Sequence, residues 1–119
     1  MRRHVDKPWG HEEIWAETPS YVGKILVVRA GHRLSLQYHR VKEETIYVES
    51  GLVRCLSGED GQELEETILR PGDVLHIPPG LRHRFEALKD ARLFEVSTPH
   101  LDDVVRLADD FGRRGTGKP

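Results

Sequence analysis

Short runs of apolar and β-branched residues, separated by turn signals, make up most of this chain. The turns contain Gly and Pro, as in Pro71-Gly72 and Pro79-Gly80, and such pairs end regular elements. Within the runs, residues alternate between apolar and polar or are rich in Val, Ile and aromatic side chains, as in strands. The pattern predicts eight strands, over residues 22–29, 34–38, 45–49, 53–56, 64–69, 74–77, 84–87 and 93–96.

Many short strands in 119 residues predict one all-β domain, a sandwich or a barrel, with no room for a second domain. We assign this domain to residues 1–112 and expect residues 113–119 to be a disordered tail. Only the end of the domain departs from the strand pattern. There we expect a short helix capped by Asp102 or Asp103, with an apolar side formed by Val104, Val105, Leu107 and Ala108.

Charge and composition exclude several classes of function. The 18 basic and 20 acidic residues give a net charge of −2, which predicts no general attraction to nucleic acids or anionic membranes. The longest apolar stretch, at residues 25–28, is far shorter than the roughly 20 residues of a membrane-spanning helix. The N-terminus lacks the apolar segment of a signal peptide, so we expect a cytoplasmic location. The single cysteine, Cys55, is expected to be a small strand side chain.

Histidine is frequent, with seven in this short chain. Gln37 and His39 lie two residues apart on a predicted strand, so their side chains share one face. Glu44 opens the next strand, and His83 follows a Pro-Gly turn further along. These nitrogen and oxygen donors suit a divalent Zn, Mn, Fe, Co or Ni ion, and the absence of thiolate argues against a closed structural zinc site.

The same residues belong to two ordered motifs. Their members, in chain order, are Gly31, Gln37, His39, Glu44 and Gly51, then Gly72, Pro78, Gly80 and His83. Together they resemble the two motifs of the cupin family, which usually has His at the position of Gln37 and Asn at the position of Ala87. The resemblance implies a double-stranded β-helix, or jelly-roll barrel, with one divalent metal ion held by Gln37, His39, Glu44 and His83.

Residues 35–39, Ser-Leu-Gln-Tyr-His, resemble the metal-binding strand of type II phosphomannose isomerases. In that family the domain usually follows a mannose-1-phosphate guanylyltransferase. The segments 7–10 and 102–106 are similar to the beginning and the tail of the same domain. The resemblance implies a metal-dependent mannose-6-phosphate isomerase, with zinc as the first expected metal. The family usually has Arg at the position of Lys42 and His-Trp at residues 45–46, and these departures bear on activity, because Lys lacks the planar fork of Arg.

Aldose–ketose isomerisation moves a proton between C1 and C2 of the sugar, and a carboxylate or an imidazole carries it. The resemblance places Glu95 on a late strand facing the interior, and Glu95 is the expected base; a structural carboxylate is the alternative. Lys42 and Arg33 are expected to assist the reaction. Lys24, Arg33 or Lys42 is expected to bind the phosphate group.

Two other functions fit the same ligand set. One is a non-catalytic sugar-binding or regulatory cupin, which the departures at residues 42–46 suggest. The other is an Fe-dependent cupin dioxygenase, which the identity of the metal would distinguish. Because a small barrel exposes sheet edges, we also expect a homodimer, with a small sugar phosphate as ligand and neither nucleic acid nor membrane as partner.

Overall fold

The computed structural model describes residues 2–116, and within that range it contains strands and turns but no helix. Ten strands form one sheet. They are β1 Arg3–Lys7, β2 Gly10–Glu17, β3 Val22–Val28, β4 Leu36–Tyr38, β5 Glu44–Gly58, β6 Glu65–Leu69, β7 Val74–Ile77, β8 Arg82–Ser97, β9 Val105–Ala108 and β10 Gly115–Thr116. The prediction of an all-β fold is confirmed.

Two long strands connect the whole sheet. β5 and β8 pair in antiparallel fashion from Glu44 opposite Ser97 to Gly58 opposite Arg82. The second half of β8 also pairs with β3, which continues through β2 to β1. Its first residues pair with β4, which continues through β9 to β10. β6 and β7 pair with opposite halves of β5. The two halves of each long strand therefore pair with different neighbouring strands, and the sheet curls around one interior.

A bulge at Gly51 changes the face that β5 buries. Glu44 and Val48 are buried before the bulge and Val53 is buried after it, so the inward positions change from even to odd numbers. Gly51 has a φ of +93°, and a Cβ at this position would collide with the carbonyl oxygen of Asp90. Only glycine therefore satisfies both the conformation and the close approach.

The turn signals at residues 50–51 and 88–90 do not end strands. The sequence pattern predicted separate strands on either side of each signal, but β5 and β8 run through both sites, with register shifts along β5. A bulge uses the same small and polar residues as a turn while the chain keeps its direction. The pattern also failed to predict β1 and β2, which form a hairpin around residues 8–9.

The core lies inside the curled sheet and consists of aliphatic, aromatic and small side chains. Its members are Trp9, Leu26, Val28, Leu34, Ile46, Val48, Val53, Cys55, Leu69, Ile77, Phe85, Ala87, Ala91 and Leu93. These residues come from both ends of β5 and β8 and from their neighbours, so the apolar core and the polar site described below share one interior.

The predicted C-terminal helix is wrong. Val105 to Ala108 form β9, which pairs with β4, because the inner edge of β4 offers backbone partners that an isolated short helix would lack. Asp103 does accept backbone N–H groups, as a helix cap would, but they belong to residues 40–42.

The predicted disordered tail, 113–119, lies partly outside the described residues, since 117–119 are not described. Within it, Arg113 binds Asp109 and residues 115–116 pair with β9. In the described part of the chain, no helix is long and apolar enough to cross a membrane.

Candidate metal centre

Three of the predicted ligands meet inside the barrel. His39 follows β4, Glu44 begins β5 and His83 lies near the start of β8. All three are buried, and Glu44 is the most exposed at 4%. One ligand atom from each lies within 4.8 Å of the others. Glu44 lies between the rings, with Oε2 3.6 Å from Nε2 of His39 and Oε1 3.8 Å from Nε2 of His83.

Hydrogen bonds orient both imidazole rings. Nδ1 of His39 donates to the carbonyl oxygen of Asp103 at 2.5 Å, and Nδ1 of His83 donates to that of Leu81 at 2.9 Å. Since a carbonyl only accepts, each Nδ1 carries a hydrogen, and in this tautomer of the neutral ring the lone pair is on Nε2. Burial lowers the pKa of His39 despite the nearby Glu44 carboxylate, which favours the neutral ring.

The donor set fits a divalent first-row metal ion. Among residues 2–116, neither the His39 Nε2 nor the His83 Nε2 has a hydrogen-bond partner, although both atoms are buried. An unsatisfied buried polar atom costs about 1–3 kcal/mol, and a metal ion is a partner that satisfies both nitrogens and the carboxylate at once. Two imidazoles, each oriented by a hydrogen bond from Nδ1, and one carboxylate form a common ligand set for such ions.

Lys42 lies between two carboxylates. Its Nζ is 2.8 Å from Oε2 of Glu44 and 3.1 Å from Oε2 of Glu95, and all three side chains are buried. Burial opposes charge on Lys42, but the attraction of Glu95 and Glu44 raises its pKa above the usual range. Burial likewise opposes charge on Glu95, but Lys42 and then Lys24 outweigh it and lower the pKa of Glu95 to about 2. Lys42 and Glu95 are therefore both charged at neutral pH.

Gln37 is placed beside His83. The two residues are directly opposed in the pairing of β4 with β8, so their side chains project from the same face. The hydroxyl of Ser35 donates to Oε1 of Gln37 at 2.7 Å. This bond orients the amide and uses one of the two lone pairs on its oxygen.

The other two predicted cations, Lys24 and Arg33, are paired with carboxylates outside the group formed by Lys42, Glu44 and Glu95. Lys24 is directly opposite Glu95 in the sheet and donates to Glu12 at 3.2 Å. Arg33 forms a two-bond ion pair with Asp110 near the surface, at 2.6 and 2.8 Å. The structure thus places Lys42 between Glu44 and Glu95 and places Lys24 opposite Glu95. Arg33 instead forms its ion pair near the surface.

Asp103 supports the centre, a role that the sequence analysis did not identify. Its carboxylate accepts the backbone N–H groups of Arg40, Val41 and Lys42 at 3.0, 2.7 and 2.8 Å, and its carbonyl oxygen accepts from His39. Burial opposes ionisation of Asp103, but the three N–H groups together lower its pKa. The only sequence signal was an Asp suited to capping free N–H groups, which does not reveal where those groups lie.

A second group of potential ligands lies on the outer surface. His4, His11 and Glu13 have ligand atoms within 4.8 Å of one another, but all three are exposed or half-buried. His76 is also on the outside, where Nε2 is 2.5 Å from Glu43. Because water satisfies exposed donors and acceptors, the buried cluster of His39, Glu44 and His83 is the candidate centre.

Sequence comparison identifies one matching family and several longer relatives. Residues 24–97 match the family described as "Cupin domain". The chain is 31% identical over 116 residues to the xanthan biosynthesis protein XanB of Xanthomonas campestris pv. campestris. It is 33% identical over 119 residues to the mannose-1-phosphate guanylyltransferase ManC of Salmonella typhimurium strain LT2. These matches include 93% and 95% of this chain but 24% of each relative, so the chain spans about a quarter of their length.

Solved structures share the fold. KdgF from Halomonas sp. superposes with a TM-score of 0.72 at 23% identity, over 82% of this chain and 87% of KdgF. Oxalate decarboxylase from Bacillus subtilis superposes with a TM-score of 0.77 at 16% identity, over 89% of this chain and 30% of the decarboxylase. The curled sheet therefore has the jelly-roll architecture expected from the sequence resemblance.

Proposed function

Because this chain belongs to the cupin family, we propose that it is a cytoplasmic, metal-dependent sugar-phosphate isomerase of the mannose-6-phosphate isomerase type. One observation supports this most directly: the side chains of His39, Glu44 and His83 come together in the interior. There, the Nε2 atoms of both imidazoles lack hydrogen-bond partners among the described residues. Several relatives are named for mannose 1-phosphate, so we propose a phosphorylated mannose as the substrate class.

Four residues would hold the metal ion. His39, Glu44 and His83 supply two nitrogens and a carboxylate, and Gln37 would add its amide oxygen. We propose zinc as the metal, because zinc favours imidazole and carboxylate donors. The same ligand set also suits Mn, Co, Ni or Fe. When bound, a divalent ion polarises sugar carbonyl and hydroxyl oxygens and makes the neighbouring C–H proton more acidic.

Glu95 is the proposed base. It lies on the inward face of β8, as His83 does, and Lys42 and Lys24 keep it ionised, so it is ready to accept the proton moved between C1 and C2. Lys42 would bind the sugar oxygen on which negative charge develops. When Lys42 binds that oxygen, its hold on Glu95 weakens and the carboxylate becomes a stronger base.

The isomerase proposal is tested on protein purified without added metal. Its metal content is determined by elemental analysis, and formation of fructose 6-phosphate from mannose 6-phosphate is followed in a coupled assay. We expect turnover by the native protein. His39→Ala should lose both bound metal and turnover, and Gln37→Ala tests separately the ligand that the resemblance implies.

His76→Ala is the matched control, because it removes an exposed histidine that lies 2.5 Å from Glu43 on the outer surface. This variant should keep the metal content and the rate of the native protein. A metal-filled native protein that turns over neither mannose 6-phosphate nor a related sugar phosphate would contradict the proposal.

A non-catalytic sugar-binding or regulatory cupin is the second candidate. The ammonium of Lys42 already contacts both Glu44 and Glu95, and Ile46 is fully buried where the similar isomerases usually have an aromatic residue. Both features favour a site adapted to binding alone. Measurable binding of mannose 6-phosphate without turnover would support this candidate, and turnover would exclude it.

We also propose that the protein is a homodimer. On the outer face, register places Ile25, Phe94, Tyr47 and Val74 in one row across β3, β8, β5 and β7. The rings of Tyr47 and Phe94 stack with centroids 6.0 Å apart, and Tyr47 and Val74 are 43% and 60% exposed. A second copy covering this row would remove apolar surface from water.

A further inference from the structure

A buried arginine extends the row of candidate ligands by one strand. Because β4 lies between β8 and β9, Gln37 is directly opposite both His83 and Arg106. Directly opposed residues of antiparallel strands project from one face, so all three side chains share the inner face. Arg106 is 8% exposed. Its guanidinium therefore belongs to the barrel interior, and its backbone is two strand spacings, about 10 Å, from that of His83.

Arg106 lines a small cavity that adjoins a larger one, and basic side chains predominate around the pair. The small cavity is lined by Gln37, Arg106 and Arg113, among others. The larger one, of about 340 Å³, includes Lys7 in its wall, and Glu12 belongs to both walls. Together the walls contain five basic residues, Arg3, Lys7, Lys24, Arg106 and Arg113, and two acidic ones, Glu12 and Asp102. This local excess of positive charge contrasts with a chain whose net charge is −2.

The basic side chains are close enough to repel one another. Burial lowers the pKa of Lys7, and although Glu12 raises it, Lys24, Arg113 and Arg106 lower it further. Burial and then Arg113 similarly lower the pKa of Arg106. An anion bound among these groups would offset the repulsion, since it interacts favourably with each of them.

We propose that Arg106, Arg113 and Lys7 form a subsite for the phosphate monoester of a sugar phosphate. The inference rests on the proposed function, because it places the phosphate beside Gln37 while the reacting end of the sugar extends towards His83. A guanidinium can bind two phosphate oxygens at once, and a lysine adds a point charge.

Two carboxylates bind cationic side chains in the walls of these cavities. Glu12 accepts from Lys24 at 3.2 Å, and both oxygens of Asp109 accept from Arg113 at 3.0 Å. The pair with Asp109 fixes Arg113 beside the small cavity, and Glu12, which lines both cavities, binds Lys24 in the wall of the larger one. These ion pairs also explain how several cations can be tolerated at one end of the barrel before an anion binds.

Binding of inorganic phosphate, measured by isothermal titration calorimetry without turnover, tests the subsite directly. The native protein is compared with Arg106→Gln and with the control Arg92→Gln, which changes an exposed arginine on β8. We expect Arg106→Gln to bind phosphate about 10- to 100-fold more weakly, as for loss of a charge-assisted hydrogen bond. Arg92→Gln should bind as the native protein does. Arg106→Lys should recover part of the lost affinity.

The same titrations with mannose 6-phosphate, mannose 1-phosphate and mannose identify the source of the phosphate. Tighter binding of either phosphate than of mannose, lost in Arg106→Gln, supports the subsite, and the order of the two phosphates shows which end of the sugar it holds. Equal phosphate affinity in native and Arg106→Gln protein would overturn it, as would equal affinity for mannose and its phosphates.

Metal content and thermal unfolding establish whether Arg106→Gln is folded. If it is not, Arg113→Gln is the second variant, since the Arg113 side chain is 26% exposed, and it should also weaken phosphate binding. Because the titrations need no turnover, an inactive protein that still binds phosphate through Arg106 contradicts the proposed function alone. An active protein with unchanged phosphate binding in both variants contradicts the subsite alone.

Discussion

Lys42 is the residue on which the electrostatics of the interior depend. One ammonium contacts both Glu44 and Glu95, and without it two buried carboxylates would face each other with no cation between them. Buried like charges are strongly unfavourable, and one carboxylate then takes up a proton. In this chain the candidate ligand and the candidate base are therefore coupled through one side chain.

Lys42→Met should destabilise the metal-free protein by about 3–5 kcal/mol, the usual cost of breaking a buried ion pair. The loss should be smaller with zinc bound, because the ion neutralises Glu44, and smaller at pH 5 than at pH 8, because a protonated carboxylate removes the repulsion. Urea unfolding with and without zinc measures both effects. Lys89→Met, at an exposed position, is the control. An equal loss in both variants would contradict the coupling.

Cys55 provides a pH test of the core. Burial raises the pKa of its thiol from the ordinary 9.0 to about 12, so between these values the unfolded chain loses a proton that the folded chain keeps. The free energy of unfolding should therefore fall by about 1.4 kcal/mol per pH unit above pH ~9. Below that pH this thiol makes no pH-dependent contribution, since it is protonated in both states.

The measurement compares the pH dependence of unfolding for native protein and Cys55→Ala, in which this contribution is absent. Iodoacetamide gives an independent reading at pH 9, where the native thiol should stay unmodified while the urea-unfolded chain reacts. Alkylation of the folded protein at the rate of the unfolded chain would show that the thiol is not held protonated by burial.

At the scale of elements, the difference between β9 and the predicted helix shows what sequence patterns omit. Residues 104–108 have an apolar pattern compatible with a short helix, and Asp103 is a good cap, yet both are used for long-range contacts with β4 and residues 40–42. Local propensity is weak over one turn of helix, so the free edge of β4 decides the outcome. By contrast, the sequence could predict that three residues belong to one candidate site, because each lies in a motif that is local in sequence. These residues are His39, Glu44 and His83.

The remaining site residues depend on strand register. The contact of Lys42 with Glu95 joins residues far apart in the chain, and the row from His83 through Gln37 to Arg106 exists only because β4 lies between β8 and β9. No spacing along the sequence encodes these neighbours. The same is true of Asp103, whose capping role is visible in the sequence but whose partners are not.

The close approach of β5 and β8 at the bulge can be tested by substituting two glycines that have the same φ angle. Gly51 and Gly72 both have a φ of +93°, but an added Cβ meets Asp90 and Ala91 at Gly51 and no atom within 4 Å at Gly72. Gly72→Ala should cost about 1–2 kcal/mol, the strain of a left-handed non-glycine residue. Gly51→Ala should cost more because of the collision, and chemical denaturation of both variants tests this order. Equal costs would mean that β5 and β8 separate easily at the bulge.

At the scale of the whole molecule, the outer apolar row predicts self-association. Tyr47→Lys places a charge in the middle of that row and should convert a dimer into a monomer at micromolar concentration, as measured by sedimentation. Val41→Lys is the control, because Val41 is 58% exposed but lies in the loop beside β4. A native protein that sediments only as a monomer would contradict the dimer, and an unaffected dimer in Tyr47→Lys would place the interface elsewhere.

The change of buried face along β5 has a consequence for which lengths of this chain are viable. Glu44 and Val53 both face inward only because the bulge at Gly51 shifts the alternation between them. Deleting or inserting one residue between positions 49 and 52 would reverse the facing of one half of the strand and expose either the candidate ligand Glu44 or the apolar core to solvent. Insertions after Gly58, in the turn that precedes β6, would leave both halves in phase. The fold should therefore tolerate changes in length at that turn but hardly at all seven residues earlier. There, the inward orientation of the candidate ligand Glu44 depends on the number of residues in the strand rather than on their chemistry.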